Sequence, residues 1–306
     1  MKACCAWAWI IENTPEKENI DSMELDLVKW VHVEPSSKCN AWCPACSRNN
    51  QGYGLAPGVV EQDLDPAVFE NIISQLPNLY GIQLCGNLGD PVASGYFNKI
   101  IDISEKYAKK IHIHTNGGLR NVNWWKKLAI RLKNIEHDVW FGIDGLAGVH
   151  EIYRQGTDFN KVIKNAQSFI NHGGYATWQF IPYLHNEHQT LECLKMSQNL
   201  NFKKFKLTTA HRDQTTARHY KTGKSFELLP TNKFSKAISV VSINSTNTMV
   251  KPENCMHLSM PSIYVSANGT ISRCCFFSKI DQFHTTKDLS SITFNSKDRK
   301  CIINCG

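Results

Sequence analysis

Six short runs of β-branched and aromatic residues alternate with helix-patterned segments between residues 28 and 210. They are VKWVHV (28–33), GIQLC (81–85), IHIHT (111–115), DVWFGI (138–143), ATWQFI (176–181) and FKLTT (205–209). Strands separated by helices pair in parallel, because each helix carries the chain back to the same end of the sheet. Asp65, Asn123 and Asp158 are the expected helix N-caps, since each precedes an apolar stripe at helical spacing. The stripes are Val68, Phe69, Ile72, Ile73 and Leu76; then Trp124, Trp125, Leu128 and Leu132; then Phe159, Val162, Ile163, Ala166, Phe169 and Ile170. Tyr96 to Tyr107 and residues 189–200 supply two more helices, and Gly173–Gly174 stops the one after Asp158. The fold class is therefore α/β. The pattern suits a partial barrel and a doubly wound sheet equally, and both place function at the C-terminal ends of the strands.

The chain has 306 residues, 42% hydrophobic and 20% charged, enough apolar mass for one large domain or two smaller ones. No uncharged run approaches about 18 residues, so no membrane span is expected. The N-terminal MKACCAWAWIIENTPEKE lacks a small-residue cleavage site and turns acidic at once, so a cytoplasmic protein is expected. Net charge is 34 − 27 = +7, with the basic residues scattered. That permits an acidic partner without demanding one, and no nucleic-acid partner is expected. The lysines at 203, 204 and 206 read as a solvated basic patch. Residues 211–235 are polar and read as a link. The expected division is an N-terminal extension (1–27), a barrel (28–213), and a linker with a small C-terminal domain (214–306).

Twelve cysteines is the unusual count. Without a secretory signal, clustered thiols point to metal rather than to disulfides. EPSSKCNAWCPACSRNN places Cys39, Cys43 and Cys46 in a C-x3-C-x2-C spacing on the loop after the first strand. Three thiolates hold three irons of a 4Fe–4S cluster and leave the fourth open. A zinc site completed by a distant His or Cys is the alternative.

This spacing, in this place, resembles the signature of the radical S-adenosylmethionine (radical SAM) enzymes. The resemblance implies a partial (β/α)6 TIM-like barrel and a 4Fe–4S cluster bound by Cys39, Cys43, Cys46 and S-adenosylmethionine. It also implies reductive cleavage of that cofactor to methionine and a 5′-deoxyadenosyl radical, which takes hydrogen from a substrate. The aromatic residue common before the third cysteine is Ala45 here, and Trp42 is the candidate replacement cover. In LCGNLGDPVAS, Gly89, Asp90 and Pro91 resemble the last positions of the family's GGEP-like turn, with Gly86 and Asn87 before them. HTNGG is similar to the family's TNG turn and brings in Asn116. FGIDGLAGVHEIYR resembles the SIDG…H…YR stretch of peptide-modifying members. There Arg154 matches the arginine that pairs with the methionine carboxylate. Asp144 lies in the same stretch, and Gly142 stands where the family has serine. Asn186, in YLHNEHQ, is placed near the adenosyl side.

In ENCMHLSMPSIYVSANGTISRCCF, thirteen residues separate Cys255 from Gly269 and four more precede Cys274. This resembles the opening of the SPASM and twitch domains, in which a hairpin turned at Asn-Gly brings two cysteines together. Cys301 and Cys305 would complete an auxiliary 4Fe–4S cluster, and Cys275 could replace one ligand. A structural zinc held by four cysteines explains the spacing equally well.

Cys193 reads as a buried core thiol, Cys4 and Cys5 as buried thiols or auxiliary ligands, and Cys85 as packing near the site, with catalytic hydrogen donation the alternative. His112 and His114 read as structural, one of them pointing inward. Trp124 and Trp125 read as helix packing. Together these features predict a radical SAM enzyme acting on a peptide or protein side chain. Oxidation of an aminocyclitol- or sugar-like small molecule, or a non-enzymatic iron–sulfur or zinc protein, are the alternatives. A flavodoxin- or ferredoxin-like electron donor is the implied partner.

Overall fold

The computed structural model describes residues 25–208, 216–231, 240–242 and 262–272. Six parallel strands follow one another: β1 (Trp30–Val33), β2 (Gly81–Leu84), β3 (Lys110–Thr115), β4 (Glu136–Gly142), β5 (Ala176–Phe180) and β6 (Lys204–Leu207). Each pairs with the next in sequence order. Crossovers between adjacent parallel strands are right-handed, so an order that never reverses puts every helix on the same face. The arrangement is the α/β sheet of a partial TIM barrel, without closure.

The two faces differ in chemistry. Val31, Val33, Ile82, Leu84, Ile111, Ile113, Val139, Phe141, Trp178 and Phe180 are buried on the helix side. The helices are α1 (Pro66–Ile73), α2 (Phe97–Tyr107), α3 (Val122–Arg131), the short α4 (His150–Tyr153), α5 (Phe159–Asn171) and α6 (Thr190–Asn199). Asp65 caps α1 by accepting from the Ala67 N–H at 2.8 Å, with Pro66 in the first turn. Asp158 caps α5 by accepting from the Lys161 N–H at 2.7 Å. The cap of α3 is Asn121, not Asn123: Asn121 is extended and accepts from the Trp124 N–H at 3.0 Å, while Asn123 already lies in the first turn. Trp125 and Cys193 are fully buried in the core, as expected.

The other strand face carries Trp30, His32, Gln83, His112, His114, Asp138, Trp140, Gln179, Lys204 and Lys206. Side chains two apart on a strand share a face, so His112 and His114 point the same way rather than one inward and one outward. Both rings contact Trp140. By the same rule Lys204 and Lys206 face the barrel interior, and of the three lysines only Lys203 is exposed.

Within the stretch read as a link, β7 (Thr216–Arg218) and β8 (Ser225–Glu227) form an antiparallel hairpin. β9 (Val240–Ser242) adds antiparallel to β6. β10 (Ser262–Val265) pairs in parallel with β1 and turns at Asn268–Gly269 into β11 (Ile271–Ser272). This hairpin extends the barrel sheet beyond β1. Cys4, Cys5, Cys255, Cys274, Cys275, Cys301 and Cys305 lie outside the described residues. No helix of the described residues is long and apolar enough to cross a membrane.

Candidate active site

The loop after β1 carries Cys39, Cys43 and Cys46 and is fixed from several sides. Ser36 donates to Asp63 at 2.6 Å, and Lys38 pairs with the same carboxylate at 2.9 Å. Cys46 N–H donates to the Cys43 carbonyl at 3.0 Å, and the Asn49 amide donates to that carbonyl at 3.0 Å. Arg48 is buried, with its guanidinium 5.1 Å from the Trp42 ring centre. All three thiols are free. Burial pushes the Cys43 thiol up to about 11, against the pull of Arg154, and Cys46 pushes the same way. Burial likewise raises Cys39, helped by the charges of Asp90 and Cys43. Desolvated, mutually repelling thiols become thiolates when a cation joins them. Among the described residues, no three His, Cys, Asp or Glu side chains close on a single metal ion. Three cysteine sulfurs on one loop fit three irons of a 4Fe–4S cluster.

The turn after β2 lies against this loop. A Cβ on Gly89 would stand 1.9 Å from the Ser36 carbonyl oxygen, so only glycine allows the two backbones to meet. Cys46 Sγ approaches the Asn87 carbonyl at 3.8 Å. Glu34, which sequence reading did not single out, holds the turn in place. Its buried carboxylate accepts from Leu88 N–H at 2.6 Å, Gly89 N–H at 3.1 Å and the Tyr264 hydroxyl at 3.0 Å. Asp90 is also buried, and it accepts from Thr115 Oγ1 at 2.9 Å and Asn116 N–H at 2.8 Å. It thus ties the β2 and β3 loops together. Asn116 turns its amide toward the cysteine loop, 3.5 Å from Cys39 Sγ and 2.9 Å from Asn40 Oδ1.

The loop after β4 brings Arg154 to the same place. Its Nε donates to Asp144 at 2.6 Å, and its Nη1 lies 4.0 Å from Cys43 Sγ. The guanidinium needs the space over Gly142, where a Cβ would stand 2.7 Å from Nη2. Gly142, where the resemblance has serine, therefore leaves room for the Arg154 guanidinium. Burial raises the Asp144 carboxyl while Arg154 pulls it down. Behind the pair sits His150, fully buried. Its Nδ1 accepts from the Asp144 N–H at 3.2 Å, and its Nε2 meets Thr157 Oγ1 at 3.0 Å. Thr157 in turn donates to the Arg154 carbonyl at 2.6 Å. His150 was quoted within the motif without a role, and here it fixes both members of the ion pair. Asn186 is buried and fully engaged. It donates to Asp144 O at 3.1 Å and Ile181 O at 3.0 Å, and accepts from Tyr183 N–H at 2.7 Å.

The β7–β8 hairpin covers one side of the cysteine loop. Tyr220 stacks on Trp42 with ring centres 5.6 Å apart, and Arg218 N–H donates to Gln51 O at 3.1 Å. On another side a groove of about 810 Å³ reaches Cys39, lined in part by Lys38, Arg120, Trp124 and Lys161.

No protein-family model and no curated protein sequence matches the chain. Solved structures do. The structure of Streptococcus suis SuiB bound to precursor peptide SuiA superposes with a TM-score of 0.61 at 15% identity, over 90% of this chain and 69% of that one. SuiB bound to S-adenosylmethionine gives 0.59 at 13% identity, over 91% and 66%. The chain has the radical SAM fold. The anaerobic sulfatase-maturating enzyme anSMEcpe with bound AdoMet gives 0.50 at 18% identity, over 64% of this chain. This chain spans 55% of that enzyme's length. The loops that follow β1 to β4 and carry Cys39, Gly89, Asn116 and Arg154 meet one another at the C-terminal ends of the strands.

Proposed function

We propose that the chain is a radical SAM enzyme that takes a hydrogen atom from a peptide or protein side chain. The observation that carries this is the meeting of three free thiols with the Asp144–Arg154 pair at one mouth of a partial barrel. Cys39, Cys43 and Cys46 would hold three irons of a 4Fe–4S cluster. Bound there, the cluster and S-adenosylmethionine supply the electron and the 5′-deoxyadenosyl radical. Arg154 supplies a planar fork for the methionine carboxylate, kept in orientation by Asp144. The turn at 86–90, held by Glu34, presents backbone beside the cluster loop. Asn116 borders Cys39, and Asn186 contributes through the loop it ties to Asp144. Trp42 and Tyr220 exclude water from the cysteine loop.

The SuiB structure with a precursor peptide supports a peptide as substrate. An auxiliary cluster on Cys255, Cys274, Cys301 and Cys305 belongs to the same reading. So does a flavodoxin- or ferredoxin-like donor, whose acidic surface the Lys38, Arg120 and Lys161 groove suits. A reducing compartment such as the cytoplasm belongs to the same reading. The test uses side-chain-deuterated candidate peptides with reconstituted, reduced protein. Deuterium in the released 5′-deoxyadenosine supports the proposal. Transfer from a sugar or cyclitol but from no peptide would replace the substrate class.

A further inference from the structure

Among the described residues, the inward face of the sheet has one more lysine than its carboxylates pair with. Lys110, Lys204 and Lys206 lie on it, in β3 and β6. Among the described residues of this face, Glu136 pairs with Lys110, and Asp138 pairs with Lys204 at 3.3 Å while accepting from Thr177 at 2.7 Å. Glu34 is committed to the turn after β2, and Asp144 to Arg154. Lys206 has no carboxylate partner among the described residues. Its ammonium stands 4.2 Å from the Trp140 ring centre instead.

The neighbouring groups do not supply an anion. Burial holds His112 down to about 4 and lowers His114 further, with His112 adding to that effect. Both are neutral imidazoles at neutral pH. Burial also opposes charge on His32, but its contact with Cys85 outweighs this and raises it. Burial and the charge of Lys204 depress Lys206 itself, and Asp138, already paired with Lys204, offsets them only in part. Lys206 registers with Gln179, which registers with Gly142, the strand end against which Arg154 lies. The Lys206 backbone is thus level with the strand end, and its ammonium reaches back over Trp140, one residue pair inside the mouth.

We propose that the barrel binds a carboxylate of the substrate, with Lys206 as its counter-charge and the Trp140 ring beside it. This deepens the radical SAM reading, on which it rests for the claim that the bound molecule is the one modified. A peptide substrate would present an Asp or Glu side chain, or its C-terminus, to Lys206. A desolvated ammonium gains most from such a partner, and a neutral amide of the same shape gains little.

The test is a titration of the full chain carrying 13Cε-labelled lysine, with glutarate and with its neutral isostere glutaramide. The Lys206 signal is identified by its loss in Lys206→Arg, or in Lys206→Met if the arginine variant fails to fold. The expected result is a saturable shift with glutarate, at least about tenfold tighter than with glutaramide. A Lys206 signal that ignores both, or follows both alike, overturns the proposal. The titration needs no reductant and no cofactor cleavage. Glutarate binding in a protein that releases no 5′-deoxyadenosine would sink the radical reading and leave the anion site standing.

Discussion

Asp144 grips Arg154 through a single carboxylate oxygen at 2.6 Å, while its other oxygen accepts from the Ile181 N–H, also at 2.6 Å. The acid thus locks the guanidinium to the β5 loop. The Asp144 side chain is fully buried and that of Arg154 is 16% exposed, so the pair is largely shielded from water. Asp144→Asn removes the counter-charge and strands the guanidinium. Breaking such a pair from one side costs about 3–5 kcal/mol. Urea unfolding should show a loss of that order, and S-adenosylmethionine affinity should fall with it. Stability within about 0.5 kcal/mol of the parent would contradict this role.

Gly142 makes room for the same guanidinium. Gly142→Ser places a Cβ 2.7 Å from Arg154 Nη2, so the side chain must shift away from Cys43. Equilibrium binding of S-adenosylmethionine to the cluster-loaded protein should weaken about tenfold, or about 1.4 kcal/mol. A serine that tightens binding would show that the hydroxyl, not the arginine position, matters here.

His150 links stability to pH. Burial lowers it to about 3, against 6.5 when exposed, and Arg154 adds to the effect. Between those values the unfolded chain holds a proton that the folded chain does not. Stability is therefore full above 6.5 and falls as pH drops toward 3, at up to about 1.4 kcal/mol per pH unit from this group. Urea midpoints measured from pH 7 to pH 4.5 should follow that slope. The slope should flatten in His150→Gln, which keeps a donor and an acceptor in place. An unchanged slope in the variant would assign the acid sensitivity elsewhere.

Much of the fold is written in the sequence, because period and capping are local. Asp65 and Asp158 cap their helices as their side chains suggest, and the six strand runs all form. The choice of a partial barrel over a doubly wound sheet was legible too, in a signal easy to pass over. A parallel strand covered by helices on both faces is apolar throughout. Here His112–Ile113–His114 and Lys204–Phe205–Lys206 alternate, which fits helices on one face only. The same alternation moves Lys204 and Lys206 from a solvated patch into the interior. The cysteine loop and Arg154 were visible as motifs. Glu34 and the Tyr220 cover were not, because both act across the chain: Glu34 bonds Tyr264, and Tyr220 stacks on Trp42. Nothing in their local sequence marks such contacts. Asn121 and Asn123 illustrate the remaining limit, since two equivalent cap residues two positions apart are separated only by backbone conformation.

Glu34 carries a prediction of its own. It accepts from two backbone N–H groups and a tyrosine hydroxyl in a buried setting. Glu34→Gln turns one acceptor oxygen into a donor facing donors and should cost about 1–3 kcal/mol. Tyr264→Phe removes one hydroxyl and should cost less, about 1 kcal/mol. Urea unfolding of both variants checks the order. A Tyr264→Phe loss larger than that of Glu34→Gln would move the weight of the contact to the β1–β10 seam.

The central claim is that Cys39, Cys43 and Cys46 hold a cluster that cleaves S-adenosylmethionine. The direct measurement is 5′-deoxyadenosine released by anaerobically reconstituted, dithionite-reduced protein, beside the variant with all three cysteines replaced by alanine. The account predicts release that depends on reductant and protein and is abolished in the triple variant. Protein that binds zinc in place of iron, or that releases no 5′-deoxyadenosine when fully loaded and reduced, would contradict it.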